Sequence, residues 1–445
     1  MGSVQKPHVV FVPFPAHGHV APHLQLARAL HARGFHVTLV HTELHYRRLQ
    51  RAKGAEAGAE AAAEATWFDV EVIPDGLSLE APPSTLEGHL DALERNCRQP
   101  FTELLRALAN RPGAPPVSCV VADSPMSFAA LAARDVGVPD VNFFTASACG
   151  LMGYLQFEEL VKRGLVPLKG SGYKTDGSLE APRMQTTRCS ASTSNRCVLS
   201  PPPRPSSLTL STTSRRTSST RSQPSPPIYT VGPLSTIVAS LPGDSTDAAS
   251  LLKEDTECMA WLDGKEARSV VYVSYGSHAA MSADKIKDFA SGLARCGSPY
   301  LWVLRPDMAA NVEVGQDGLV VPWCAQEAVL AHPAVGLFVT HCGWNSILET
   351  VLAGVPVLGW PMISEQTTNC RQLSTAWNIG TELPQEAGSD EIAALVRAML
   401  VGKKGMEARE RTLEWKRLAE DATKEGGSSY VNLDRLVQDV LHKGL

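Results

Sequence analysis

The sequence predicts an α/β protein made of two doubly wound halves. Three observations predict it. Short apolar runs rich in Val, Leu and Phe alternate with segments whose apolar residues keep a helical period, the pattern of parallel strands covered on both faces. The alternation runs as one series to Arg163 and begins again at Ser269. The 445 residues also exceed what a single hydrophobic core usually organises, so two or three domains are expected.

His8–Pro15 (HVVFVPFP) has the character of a buried strand and is followed by the turn-like Ala16-His17-Gly18. From Val20, the residues Leu24, Ala27 and Leu30 keep helical spacing, and Arg33-Gly34 closes that helix. His36–His41 is the next strand, so the opening implies a right-handed crossover within a parallel sheet. Strand Pro116–Asp123, helix Ser127–Val136 and strand Val141–Thr145 repeat the unit, and a helix over Cys149–Arg163 ends at Gly164. The second series opens with strand Ser269–Ser277, helix Asp284–Arg295 and strand Pro299–Arg305. Strand Gly318–Trp323, helix Gln326–His332, strand Ala334–His341, helix Asn345–Ala353 and strand Pro356–Trp360 follow, and the tail from Asp390 is helical. A joint near Leu241–Asp244 separates the halves. The expected domains are 1–240, 241–427, and a closing helix 428–445 that packs back on the first.

Apolar residues at 44% and charged ones at 20% are the mix of a soluble globular chain. A net charge of −5 excludes the electrostatic footprint of a nucleic-acid binder. No stretch stays apolar long enough to cross a bilayer, and the start MGSVQKPHVVFVPFP lacks the core of a signal peptide. Ten scattered cysteines without a Cys-x-x-Cys imply free thiols, and a cytoplasmic location is expected. One segment departs from the rest. Arg183–Pro227 has no Asp, Glu, Gly or aromatic residue, and roughly three-quarters of it is Ser, Thr, Pro or Arg, a composition that builds no core. Its abrupt edges, after Ala181-Pro182 and before Ile228, suggest a frame-shifted or mis-spliced stretch.

Two groups of residues carry chemistry. In the segment Trp323–Gln366, the strand ending at His341 turns through Cys342-Gly343 into a helix opening at Trp344-Asn345-Ser346. Free amides at a helix N-terminus, with His341 beside them, make a diphosphate cradle at the carboxyl end of a parallel strand. Trp323 offers a flat face for a base, Glu349 an acceptor for a ribose diol, and Glu365 and Gln366 partners for sugar hydroxyls. The second group is His19 with Asp123, both at the carboxyl edge of the first sheet, His19 in the loop after the first strand. A neutral imidazole can take a proton from a hydroxyl, and a carboxylate behind it fixes the tautomer and stabilises the imidazolium. His19-x-x-x-His23 also has the spacing of a zinc helix, but Pro22 lies between and no carboxylate companion follows, so no metal site is expected.

The 44-residue stretch from Trp323 to Gln366 resembles, without a gap, the signature box of plant family 1 UDP-sugar glycosyltransferases. The resemblance covers Pro7–Glu180 and Ile228 to the end; His45–Leu49, Glu159–Leu165 and Glu365–Cys370 are similar to the cyanohydrin glucosyltransferase group of grasses. It implies two Rossmann-like domains facing across a cleft, the GT-B type. It implies that Trp323 stacks on uracil, that His341, Asn345 and Ser346 hold the diphosphate, that Glu349 binds ribose and that Glu365 and Gln366 hold the sugar. Gln326 and Trp344 are carried over with them. Ser277 corresponds to a diphosphate-touching Ser and Thr145 to a sugar-facing Thr. Gly18-His19-Val20-Ala21-Pro22 and Val121-Ala122-Asp123 match the base and its partner, whereas His17 stands where the family has Gln and Ala325 where it has Pro. The implied reaction is metal-independent, inverting transfer of glucose from UDP-glucose, with no further cofactor. The acceptor is a small hydroxylated metabolite (cyanohydrin, phenol or terpenoid alcohol), and the chain acts as a monomer. Two departures stand out: Arg183–Pro227 replaces part of the acceptor-pocket wall, and Arg305–Gly318 is shorter by about one helix. The first leaves an alternative open, a member that binds UDP-sugar without turnover.

Overall fold

A computed structural model describes residues 6–53, 67–80, 82–83, 85–164, 197–200, 227–241, 255, 257–276, 281–309 and 312–441. The first sheet consists of β1 (His8–Val12), β2 (His36–Thr42), β3 (Asp69–Ile73), β4 (Val117–Asp123), β5 (Asp140–Ser147), β6 (Cys197–Ser200) and β7 (Ile228–Thr230). Its order is β3-β2-β1-β4-β5-β6-β7, and every neighbouring pair is parallel. The second consists of β8 (Val270–Ser274), β9 (Tyr300–Val303), β10 (Gly318–Val321), β11 (Val335–Thr340), β12 (Val357–Gly359) and β13 (Gly380–Glu382). Its order is β10-β9-β8-β11-β12-β13, again wholly parallel. The direction of winding reverses between β1 and β4 in one sheet and between β8 and β11 in the other. These are the switch points at whose carboxyl ends doubly wound sheets bind ligands. All residues of β1, β8 and β11 are buried, which explains why those strands are apolar runs broken only at one end, by His8, Ser274 and Thr340.

Helices cover the sheets through their periodic apolar faces. Phe101, from the helix Arg98–Ala109, and Phe128, from Ser127–Asp135, meet edge to face at 6.1 Å over Val120 and Ala122 of β4. Truncating a buried Phe of this kind costs about 3–5 kcal/mol. In the second half, the helix Ala283–Arg295 is started by Ser282, whose Oγ accepts the Lys285 N–H at 3.2 Å. It lays Phe289 and Leu293 on the core formed with Trp302 and Trp360.

The chain divides into two compact units, one of Met1–Ala148, Arg183–Ala249 and Asp421–Leu445, the other of Cys149–Pro182 and Ser250–Glu420. The first therefore includes the end of the chain. There Ser429 donates to the buried Gly232 carbonyl at 2.6 Å, and Asn432 donates to the Thr230 carbonyl at 3.1 Å. Arg33 lies over the Tyr430 ring and pairs with Asp434 at 3.2 Å.

Several expectations are corrected. The first helix begins at His17, not Val20, because the Val20 N–H already bonds the Ala16 carbonyl at 2.9 Å. Between β2 and β4, where the sequence pattern marks no element, lie β3 and the helices Glu43–Lys53, Leu86–Asn96 and Arg98–Ala109. Within Arg183–Pro227, expected to build nothing, Cys197–Ser200 forms β6 and pairs with β5 and β7. The rest of that segment up to residue 226 lies outside the described residues, as does Ser277. Between Arg305 and Gly318 the described chain has a single short helix, Pro306–Ala309.

Buried histidines make the first unit acid-sensitive. His8 is fully buried and uses both ring nitrogens, on the Pro115 carbonyl at 2.9 Å and the Thr38 hydroxyl at 2.8 Å. Burial lowers its pKa to about 4, although the Pro115 carbonyl opposes the shift. Burial, then the neighbouring His45, brings His41 down to about 3; burial, then Arg48, brings His45 down to about 4. Folded values below the unfolded 6.5 mean that this stability is fully present above pH 6.5 and is lost as the pH falls through 4. The urea midpoint of the first unit, followed by pulse-labelled amide hydrogen exchange in β1 and β2, should therefore be lower at pH 5 than at pH 7.5; an unchanged midpoint would contradict the assignment.

Candidate active site

At the switch point of the first sheet, His19 Nδ1 lies 2.8 Å from Asp123 Oδ2. Asp123 is the last residue of β4, and His19 sits in the first turn of the helix His17–His31, not in a loop as expected. The carboxylate also accepts the Phe14 N–H at 3.1 Å, so one oxygen ties together the loop after β1 and the start of the following helix. Asp123 is 1% exposed and the His19 side chain 35%, so the imidazole is reachable and its anchor is not. Burial alone would raise the Asp123 pKa. The attraction of His19 and its hydrogen bond, then His23 and the Phe14 N–H, outweigh burial and hold the carboxyl below its ordinary value. An ionised Asp123 is an acceptor only, so Nδ1 of neutral His19 carries the proton and Nε2 the lone pair.

Thr145, in β5, places its hydroxyl 3.2 Å from His19 Nδ1, which groups it with the base. His23 is fully buried between Phe11 and Phe143, and its Nδ1 lies 2.7 Å from the His19 carbonyl and 3.8 Å from Asp123. The pair His19/His23 is thus occupied by Asp123 and backbone. Among the described residues, no group of three or more His, Cys, Asp or Glu gathers that could hold a metal ion.

At the switch point of the second sheet, Gln326 organises the candidate nucleotide residues. Its Nε2 donates to Ser346 Oγ at 2.8 Å and to Glu349 Oε2 at 2.6 Å, and its Oε1 accepts from the buried Tyr272 hydroxyl at 3.1 Å. The helix Gln326–Ala331 forms although Ala325 replaces Pro, with the Val329 N–H on the Ala325 carbonyl at 2.9 Å. Burial, then the like charge of Glu327, pushes Glu349 up to about 7, and Gln326 opposes the rise. Trp323 lies two residues beyond β10 and anchors the Asp255 N–H through its carbonyl at 2.9 Å.

His341 follows β11 and is framed by glycines. A Cβ on Gly343 would come within 2.4 Å of its Nε2, and one on Gly276, which has φ +74°, within 2.8 Å. Only glycine admits the imidazole at this spot. The helix Trp344–Ala353 has Gly343 as N-cap, a residue with no side chain to cap the first amides. Asn345 is half-buried at the helix start, whereas the Trp344 ring is 4% exposed, in a core with Ile347 and Trp377. The ring of Trp344 is therefore a packing element, and its backbone amide is what it has to offer at the helix start. Gln366 opens the helix Gln366–Arg371 and receives the Met362 and Ile363 N–H groups on Oε1, both at 3.0 Å, so its amide nitrogen is oriented. Glu365 accepts from Ser364 Oγ at 2.7 Å. Sequence reasoning passed over Tyr272, Thr340 and Gly276 as supports of this site. Gly276, within Tyr275-Gly276-Ser277, was the one with a visible signal.

Two wholly parallel, doubly wound sheets, with a held imidazole at one switch point and a glycine-framed histidine before a helix start at the other, make two Rossmann-like units. Residues 5–162 match the family described as "Glycosyltransferase, N-terminal domain", and residues 245–411 that described as "UDP-glucoronosyl and UDP-glucosyl transferase". The chain is 39% identical over 99% of its length to (R)-mandelonitrile beta-glucosyltransferase of Prunus dulcis, covering 98% of that protein. It is 38% identical to 7-deoxyloganetin glucosyltransferase of Gardenia jasminoides over 100% of both chains. Among solved structures it is similar to Os79 of O. sativa in complex with UDP, with a TM-score of 0.77 and 25% identity over 97% of this chain and 100% of that one. The chain belongs to the plant family 1 UDP-glycosyltransferases.

Asp123→Asn should keep the fold of the loop but offer Nδ1 an amide in place of a carboxylate. Turnover should fall by about 10²–10⁴-fold with UDP affinity unchanged, as steady-state kinetics and calorimetry would show; near wild-type turnover would refute the role.

Proposed function

We propose that this protein transfers glucose from UDP-glucose, with inversion, to the hydroxyl of a small apolar metabolite such as a cyanohydrin, phenol or terpenoid alcohol. The observation that carries the reading is the 2.8 Å bond between His19 and the buried Asp123. With Nδ1–H held there, Nε2 takes the proton of the acceptor hydroxyl as its oxygen attacks the anomeric carbon. The bond from that carbon to the diphosphate breaks on the opposite face, and its electron pair leaves with UDP. Amides of the Trp344–Ala353 helix, His341, Asn345 and Ser346 meet the charge that develops on the diphosphate, and each preorganised donor typically supplies about 3–4 kcal/mol. Trp323 carries the base, Glu349 the ribose, and Glu365 with Gln366 the sugar; a terminal Gln supports glucose. We assign Ser277 to the diphosphate and Thr145 to the sugar side of the base, as the resemblance implies. UDP-glucose is a substrate in this scheme, and neither a metal nor a further cofactor has a step. The names of the two relatives, glucosyltransferases for (R)-mandelonitrile and 7-deoxyloganetin, support a small hydroxylated acceptor. No helix among the described residues is long and apolar enough to cross a membrane; the proposal further takes the chain as a monomer acting in the cytoplasm.

His19→Ala should abolish transfer from UDP-glucose to a panel of cyanohydrins, phenols and terpenoid alcohols while UDP still binds; equal loss of both would count against the base. A wild-type chain that binds UDP but turns over none of the panel would favour the non-catalytic alternative instead. Glu349 gives a second test. A ribose diol bonds best to the carboxylate, and the free protein holds this carboxyl near 7. UDP affinity should therefore rise as the pH goes from 6 to 8, a dependence lost in Glu349→Gln; a flat wild-type profile would remove Glu349 from the ribose.

A further inference from the structure

We infer that Asn369 is a positioning residue that sets the diphosphate-binding turn from behind. The turn after β11 passes through Cys342, a non-glycine residue at φ +64°, a backbone region that L side chains enter at a cost and that persists only where its surroundings impose it. The surroundings do so from three directions. Asn369 Nδ2 donates to the Cys342 carbonyl at 3.0 Å, and the Thr340 hydroxyl accepts the Cys342 N–H at 3.3 Å. The Cys342 thiol is seated with that of Cys370 against Gly359, where a Cβ would come within 2.6 and 2.7 Å of the two sulfurs. Asn369 and Cys342 are 2% and 0% exposed, so neither group has water as an alternative partner.

The consequence follows from peptide geometry. A planar trans peptide points its N–H opposite to its C=O. With the Cys342 carbonyl drawn toward Asn369, the Gly343 N–H faces the other way, on the side of the first turn of Trp344–Ala353 and of His341, which lies against Gly343. Asn369 thus selects which face of this peptide a ligand meets. It stands one turn after Gln366 on the same short helix, so the residue assigned to the sugar and the residue that holds the diphosphate turn move together. The inference rests on the reading of His341–Ser346 as the diphosphate cradle.

Uridine and UDP, compared by calorimetry on the full chain, separate this role from a merely structural one, because uridine lacks the diphosphate. In Asn369→Asp a carboxylate oxygen faces the Cys342 carbonyl, acceptor against acceptor. UDP affinity should fall about tenfold or more, with uridine affinity within about twofold of wild type. Thr340→Val, which removes the hydroxyl on the other side of the same turn, should show the same selective loss and serves where Asn369→Asp does not fold. Equal losses for uridine and UDP, or none for either, would overturn the inference. A wild-type chain that binds uridine no more weakly than UDP would overturn the cradle itself, a result distinguishable because it needs no variant.

Discussion

Asp123 is the buried charge around which the first half of the chemistry is arranged. Its Oδ2 accepts both the His19 imidazole and the Phe14 amide, with His23 3.8 Å away, and these partners more than offset the cost of burying a carboxylate. A charge in this position is stabilised only while its partners hold; removing one partner from a buried pair typically costs roughly 3–5 kcal/mol. The same bonds that keep Asp123 ionised also fix where His19 stands and which of its nitrogens is free. Stability and the proposed catalytic geometry are thus one constraint here, seated where β1 and β4 adjoin and the winding of the sheet reverses.

The second half meets a related problem by different means. A diphosphate needs bare backbone amides, and bare amides need a backbone held in place without side chains crowding them. Gly276 and Gly343 clear the space that His341 fills, and Cys342 takes a strained conformation stabilised by Thr340, Asn369 and the contact with Gly359. Gln326 performs the matching service for the proposed nucleoside side, with one amide group engaged by Tyr272, Ser346 and Glu349. The part-buried Glu349 is left with a raised pKa, a cost that a ribose diol would relieve.

The central strands were legible because burial on both faces favours apolar residues: β1, β8 and β11 are apolar except for one terminal residue each, His8, Ser274 and Thr340. The strand β3 was not legible, since it lies at the edge of its sheet, is mostly half-buried and carries Asp69 and Glu71. The strand β6 was hidden more completely. Its pairing with β5 and β7 is a backbone matter, and composition reports on side chains. The site residues that present chemistry to a ligand stood out by type and spacing. Those that support them, Tyr272, Thr340 and Asn369, did not, because a Tyr, Thr or Asn in a core element looks the same whether or not its polar atom has a task.

The sequence by itself determined the α/β class, the two series of parallel strands and the motif from Trp323 to Gln366, because periodicity and spacing are local and carry those signals directly; the His19–Asp123 partnership was legible only through the family resemblance. Tertiary structure alone decided that His19 stands inside a helix turn, that the Trp344 ring belongs to the core, and that Asn369 reaches the carbonyl of a residue 27 positions earlier. The physical reason is that a hydrogen bond across the fold depends on where two distant segments meet. That meeting is set by packing of the whole sheet and its helices, and no local pattern records it.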